Sequence, residues 1–206
     1  MEFLHDFIET NMVVVNFVYG LVYFTFGMAI ALQRRSLSNF RLARHLWLLA
    51  AFGIIHGIAE WGNVFIPIQA SYLSAPWMDL MTNAQTLAWA ISFAFLLQFA
   101  VVMIVPRLPW ATRVRTFIRW YAPVWSAAVI LTAMLFIPAH LSECWIRYLL
   151  GFPGSILTAA VFLLERRSFR DLPAPSARLD LSLAAIAFTV YAVLGGLIVP
   201  NHGIWP

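Results

Sequence analysis

The feature that most constrains this chain is a set of apolar runs as long as a bilayer is thick. Stretches without a charged side chain cover 11–33, 80–105, 120–139 and 181–201, while 46–69 carries only Glu60 and 148–164 follows directly on Arg147. Crossing hydrocarbon as a helix takes about 20 residues. Lipid offers a backbone no hydrogen-bond partner, so only helices and closed barrels cross it, and barrel strands alternate polar with apolar residues as these runs do not. The fold class expected is all-α integral membrane: one domain over 1–206, a bundle of about six transmembrane helices near 11–33, 46–69, 80–105, 118–139, 146–164 and 181–201. A soluble core does not account for a chain that is 62% hydrophobic and 11% charged, where soluble proteins carry roughly a quarter charged residues.

Charge placement then gives an orientation. All 13 basic residues are arginines, and 12 fall in three clusters: Arg34, Arg35, Arg41 and Arg44; Arg107, Arg113, Arg115 and Arg119; Arg166, Arg167, Arg170 and Arg178. These are alternate connections, so the positive-inside rule puts them in the cytoplasm and both termini outside it. The net charge of +4 therefore reports topology and contact with anionic lipid, and no nucleic-acid partner is expected. Glu2, Asp6 and Glu9 stand where a signal peptide would carry basic residues, so the first span is expected to remain as a helix. The lone cysteine, Cys144, excludes an intrachain disulfide.

Ionisable groups inside hydrocarbon are costly and usually face the bundle interior, which makes each one a functional candidate. Glu60 is the clearest. His56 lies four residues earlier on the same helical face, with Trp61 and Asn63 adjacent; the pair either satisfies itself structurally or receives a ligand, a quinone or a proton. Gly53 and Gly57 in the same helix let a neighbouring backbone approach closely. Pro153, within Gly151-Phe-Pro-Gly154, removes a backbone donor and should bend its helix.

A second cluster gathers His140, Glu143, Cys144, Arg147 and Tyr148. Glu143 and Arg147 read equally as an i, i+4 ion pair or as part of a ligand site. If the helices form a ring, His56, Glu60, His140, Arg147 and His202 approach one outward-opening cavity, where two histidines could ligate haem b axially. His140 and His202 are the metal-ligand candidates, with His56 as a further haem ligand. No phosphate loop, nucleophile elbow, HExxH or dinucleotide fingerprint occurs, so enzymatic activity is not expected.

The stretches FVYGLVYFTFGMAI at 17–30, RLAR at 41–44, LAAFGIIHGIAEWG at 49–62, RYLLGFPG at 147–154 and YAVLGGLIVP at 191–200 together resemble the multi-helix membrane input region of bacterial sensor histidine kinases and related signalling proteins. The resemblance extends over most of the chain and implies a sensory, ligand-binding module of the bacterial inner membrane, with His56, Glu60, Trp61, Arg147 and Tyr148 as ligand-binding residues. A quinone, a haem-linked signal or another small apolar ligand is what it would sense. The sequence departs from that family in having no kinase, cyclase or PAS-like region. A cytoplasmic output domain would need a seventh span, so the expectation is either a fragment or a stand-alone relative working through a partner, in an oligomer. The alternative is a structural or cofactor-holding subunit, with haem b as one cofactor, in a larger membrane complex.

Overall fold

The computed structural model describes residues 10–33, 41–108, 115–168 and 175–197, and they are helical throughout apart from short turns. Six helices follow in order: α1 (Met12–Gln33), α2 (Arg41–Gln69), α3 (Ala75–Ile104), α4 (Arg115–Leu135), α5 (Ala139–Ser168) and α6 (Pro175–Tyr191), the last continued by a π-helical turn at Ala192–Leu197. Five are long and apolar enough to cross a membrane: Met12–Gln33, Leu42–Gln69, Ala75–Arg107, Ala139–Ser168 and Ser176–Leu197. The chain is therefore a multi-pass membrane protein by helix length and hydropathy.

The expected span at 118–139 is the exception. It falls on α4, which runs Arg115–Leu135 and so both starts and ends earlier than expected; among the described residues its apolar part is Trp120–Leu135, and it is not one of the five candidate spans. Phe136 still makes the regular bond to the Thr132 carbonyl four residues back, but Ile137 skips to that same carbonyl, five back, and Pro138, which disfavours helix at the residue before it, precedes Ala139. Ala139 consequently opens α5. That helix runs to Ser168 instead of covering only 146–164, and it carries His140, Glu143, Cys144, Arg147 and Tyr148 together. The expected end of the last span, 198–201, lies outside the described residues.

The chain divides into two compact units, Met1–Ser92 and Phe93–Pro206, and the division falls within α3. In the first unit, α1 lies backbone to backbone on α2. A Cβ at Gly27 would come within 2.5 Å of the Ile54 nitrogen, and one at Gly53 within 2.8 Å of the Gly27 Cα. Only glycine tolerates that approach, as the Gly53 and Gly57 spacing implies. Their partners Gly20 and Gly27 are the buried residues of α1.

In the second unit, Phe99, Phe162 and Phe188 form a continuous aromatic core from α3 through α5 to α6, with ring centroids 6.1 and 5.7 Å apart. Ser142 donates to the Ala133 carbonyl at 3.0 Å and ties the start of α5 to the end of α4.

Candidate functional site

The first unit holds a buried polar network between α2 and α3. His56 is 2% exposed and Glu60 5%, and Ser92 is fully buried. Glu60 Oε1 accepts from Trp89 Nε1 at 3.1 Å, and its Oε2 accepts from Asn63 Nδ2 at 3.1 Å. A carboxylate only accepts from these donors, so Asn63 must turn its amide nitrogen inward. Its oxygen then faces out to Gln85 Nε2 at 2.9 Å, and Gln85 also donates to the Ala59 carbonyl at 2.9 Å.

The directions of these bonds fix where protons sit. Ser92 has one hydroxyl proton, and its 2.7 Å bond to the Trp89 carbonyl uses it, because a carbonyl only accepts. His56 Nδ1, 3.0 Å from the same hydroxyl oxygen, is then the donor. Nε2 lies 3.4 Å from Glu60 Oε1. With no proton there, a ring lone pair would face a carboxylate in a site closed to water, at the cost of a buried, poorly compensated charge. A proton on either Nε2 or Oε1 leaves the pair without net charge. The edge of Tyr23 closes the site from α1, its ring centroid 4.6 Å from that of His56.

Trp61 faces elsewhere. Its indole donates to the Phe17 carbonyl at 3.0 Å and packs between Phe17 and Phe24. Trp89 supplies the indole that Glu60 uses. Gln85, Trp89 and Ser92 are uncharged and do not stand out in the sequence, although they recur at i, i+4 and i+7, the spacing of one helical face.

Arg147 and Tyr148 belong to the second unit, where α5 is interrupted by a π-helical segment at Arg147–Gly151. Pro153 has no N–H for the Leu149 carbonyl four residues back. The indole of Trp125 on α4 supplies the missing donor, reaching that carbonyl at 3.2 Å. The widened turn closes instead through the Phe152 N–H to the Arg147 carbonyl, so the irregularity expected from Pro153 takes the form of a π turn. Arg147 contacts Glu143 through Nε at 2.8 Å and donates from Nη1 to the Gly195 carbonyl at 2.8 Å, in the π-helical turn that follows α6. Tyr148 reaches the Leu197 carbonyl at 3.4 Å. Both residues therefore bind irregular backbone.

The haem ligand set does not come together among the described residues. Both ring nitrogens of His56 face partners, His140 is exposed on α5 in the other unit, and His202 lies outside the described residues. No group of three or more His, Cys, Asp or Glu able to hold a metal ion occurs among the described residues. Cys144 is buried in α5 as a small packing residue. No family model, curated protein or solved structure matches the chain.

Proposed function

We propose that the chain is a membrane-embedded sensory module in which a small apolar ligand with a hydrogen-bonding head, a quinone by preference, meets the His56–Glu60 pair. The observation that carries this reading is that pair: two titratable groups buried on a membrane-spanning helix, 3.4 Å apart. Such groups in hydrocarbon mark ligand or proton sites far more often than they serve packing alone. A quinone carbonyl accepts the kind of hydrogen bond that Nε2 and Oε1 offer each other, so the ligand would compete for the pair's proton. Signal would then pass as a shift between two helix packings, biased by the difference in ligand affinity. Haem is the arm the geometry favours least, because an iron would have to displace Glu60 or Ser92 from His56.

The three arginine clusters support placing their connections in the cytoplasm of a bacterial cell and the N-terminus outside. A competing reading, a structural subunit of a membrane complex, draws on α1, in which only Gly20 and Gly27 are buried. Co-purification with a stable partner subunit would favour it.

Organic extraction and mass spectrometry of detergent-purified protein, with an absorption spectrum of the same sample, test the sensory reading. Quinone in the wild-type extract but not in the Glu60→Gln extract is the expected result. A Soret band, or equal quinone in both samples, overturns it.

A further inference from the structure

We propose that the end of the second unit where α5 stops and α6 starts is a phosphate-binding site, occupied by the headgroup of an anionic phospholipid. A hollow of about 380 Å³ there is lined by Leu163, Arg166, Arg167 and Arg178. Three guanidinium-bearing side chains around one hollow repel each other unless an anion lies between them, and planar guanidinium forks match phosphate oxygens two at a time.

Among the described residues, the carboxylates near these arginines in sequence, Glu165 and Asp180, do not fill that role; Asp171 lies outside the described residues. Glu165 is buried and ion-paired with Arg107, whose Nη1 is also anchored on the Met103 carbonyl at 2.6 Å. Asp180 is two residues from Arg178, about 200° around the helix and so on its opposite side. Meanwhile the Nε of Arg178 is buried and has no hydrogen-bond partner among the described residues. A buried guanidinium donor without an acceptor is costly, and a phosphate oxygen supplies one.

A lipid fits better than a soluble phosphate because of Leu163. This side chain belongs to the hollow and is 47% exposed on a membrane-spanning helix, so an acyl chain can lie against it while the headgroup meets the arginines. Basic clusters at the end of a transmembrane helix attract anionic lipid at about 1 kcal/mol per arginine, or roughly fivefold in affinity.

The test is native mass spectrometry of the full chain released from micelles containing equal phosphatidylglycerol and phosphatidylcholine, alongside melting curves of delipidated protein with inorganic phosphate. Retention of phosphatidylglycerol over phosphatidylcholine is expected, falling about fivefold in Arg178→Gln and further in the exposed double variant Arg166→Gln/Arg167→Gln, which guards against a folding defect at Arg178. Arg44→Gln, in a different cluster, controls for general charge and should change retention little. If inorganic phosphate raises the wild-type melting temperature and displaces the lipid, the site takes soluble phosphate and the lipid assignment is overturned. If neither ligand responds to the arginine variants, or Arg44→Gln lowers retention equally, there is no site.

Discussion

The two units answer the same constraint, the absence of water inside a membrane, in opposite ways. In the first, the described helices are α-helical and the buried polar side chains His56, Glu60, Trp89 and Ser92 bond to one another, with half-buried Gln85 and exposed Asn63 extending the network outward. In the second, the backbone itself is irregular. Two π-helical turns and Pro153 free carbonyl groups, and Arg147, Tyr148 and Trp125 reach across to them. A side-chain network can exchange a partner for a ligand and keep its helices intact. Side chains pinned to backbone carbonyls hold a shape. That difference is why the sensory proposal centres on Glu60, with Arg147 in a supporting place.

Substitutions can break or sharpen this contrast. The largest effect is expected for Glu60→Leu, which strands the donors of Trp89 and Asn63 and the His56 proton; removing one partner of a buried pair costs about 3–5 kcal/mol, measurable as denaturant unfolding in detergent. Gly53→Val should cost about 3 kcal/mol by driving α1 off α2, and cross-linking between those helices should fall with it. Arg147→Met is expected to cost about 2 kcal/mol, the value of a charge-assisted bond to a carbonyl, and to leave quinone binding unchanged; a change in binding would bring Arg147 into the ligand site. Trp125→Phe removes only the donor to Leu149 and should cost about 1 kcal/mol. If it costs more than Arg147→Met, Pro153 governs the irregularity of α5 more than the arginine does.

Much of the first unit is legible in the amino-acid sequence. An i, i+4 His–Glu pair declares itself within one helix, and Gly53 with Gly57 announces a close neighbour. Trp89 and Ser92 do not, because their role depends on the register of α3 against α2, which no single helix encodes. Arg147 reads plausibly as a surface pair with Glu143, and it does contact Glu143. Its second partner is the Gly195 carbonyl, 48 residues away, and a carbonyl leaves no mark in a sequence. Glu165 is hidden for a similar reason: beside Arg166 and Arg167 it looks like an ordinary boundary charge, yet it is buried against Arg107. The end of α4 at Leu135 escapes because 120–139 is uncharged throughout, and hydropathy does not register the turn that ends the helix.

The measurement that tests the central claim most directly is a titration of purified wild-type and Glu60→Gln protein with a short-chain, water-soluble quinone. It is read by intrinsic tryptophan fluorescence, because Trp89 donates its indole proton to Glu60. The account predicts saturable quenching of the wild type and at least about tenfold weaker binding in the variant, the effect of losing one charge-assisted hydrogen bond, at a similar melting temperature. Equal affinity in the two proteins would contradict it and leave the His56–Glu60 pair a structural element of the bundle.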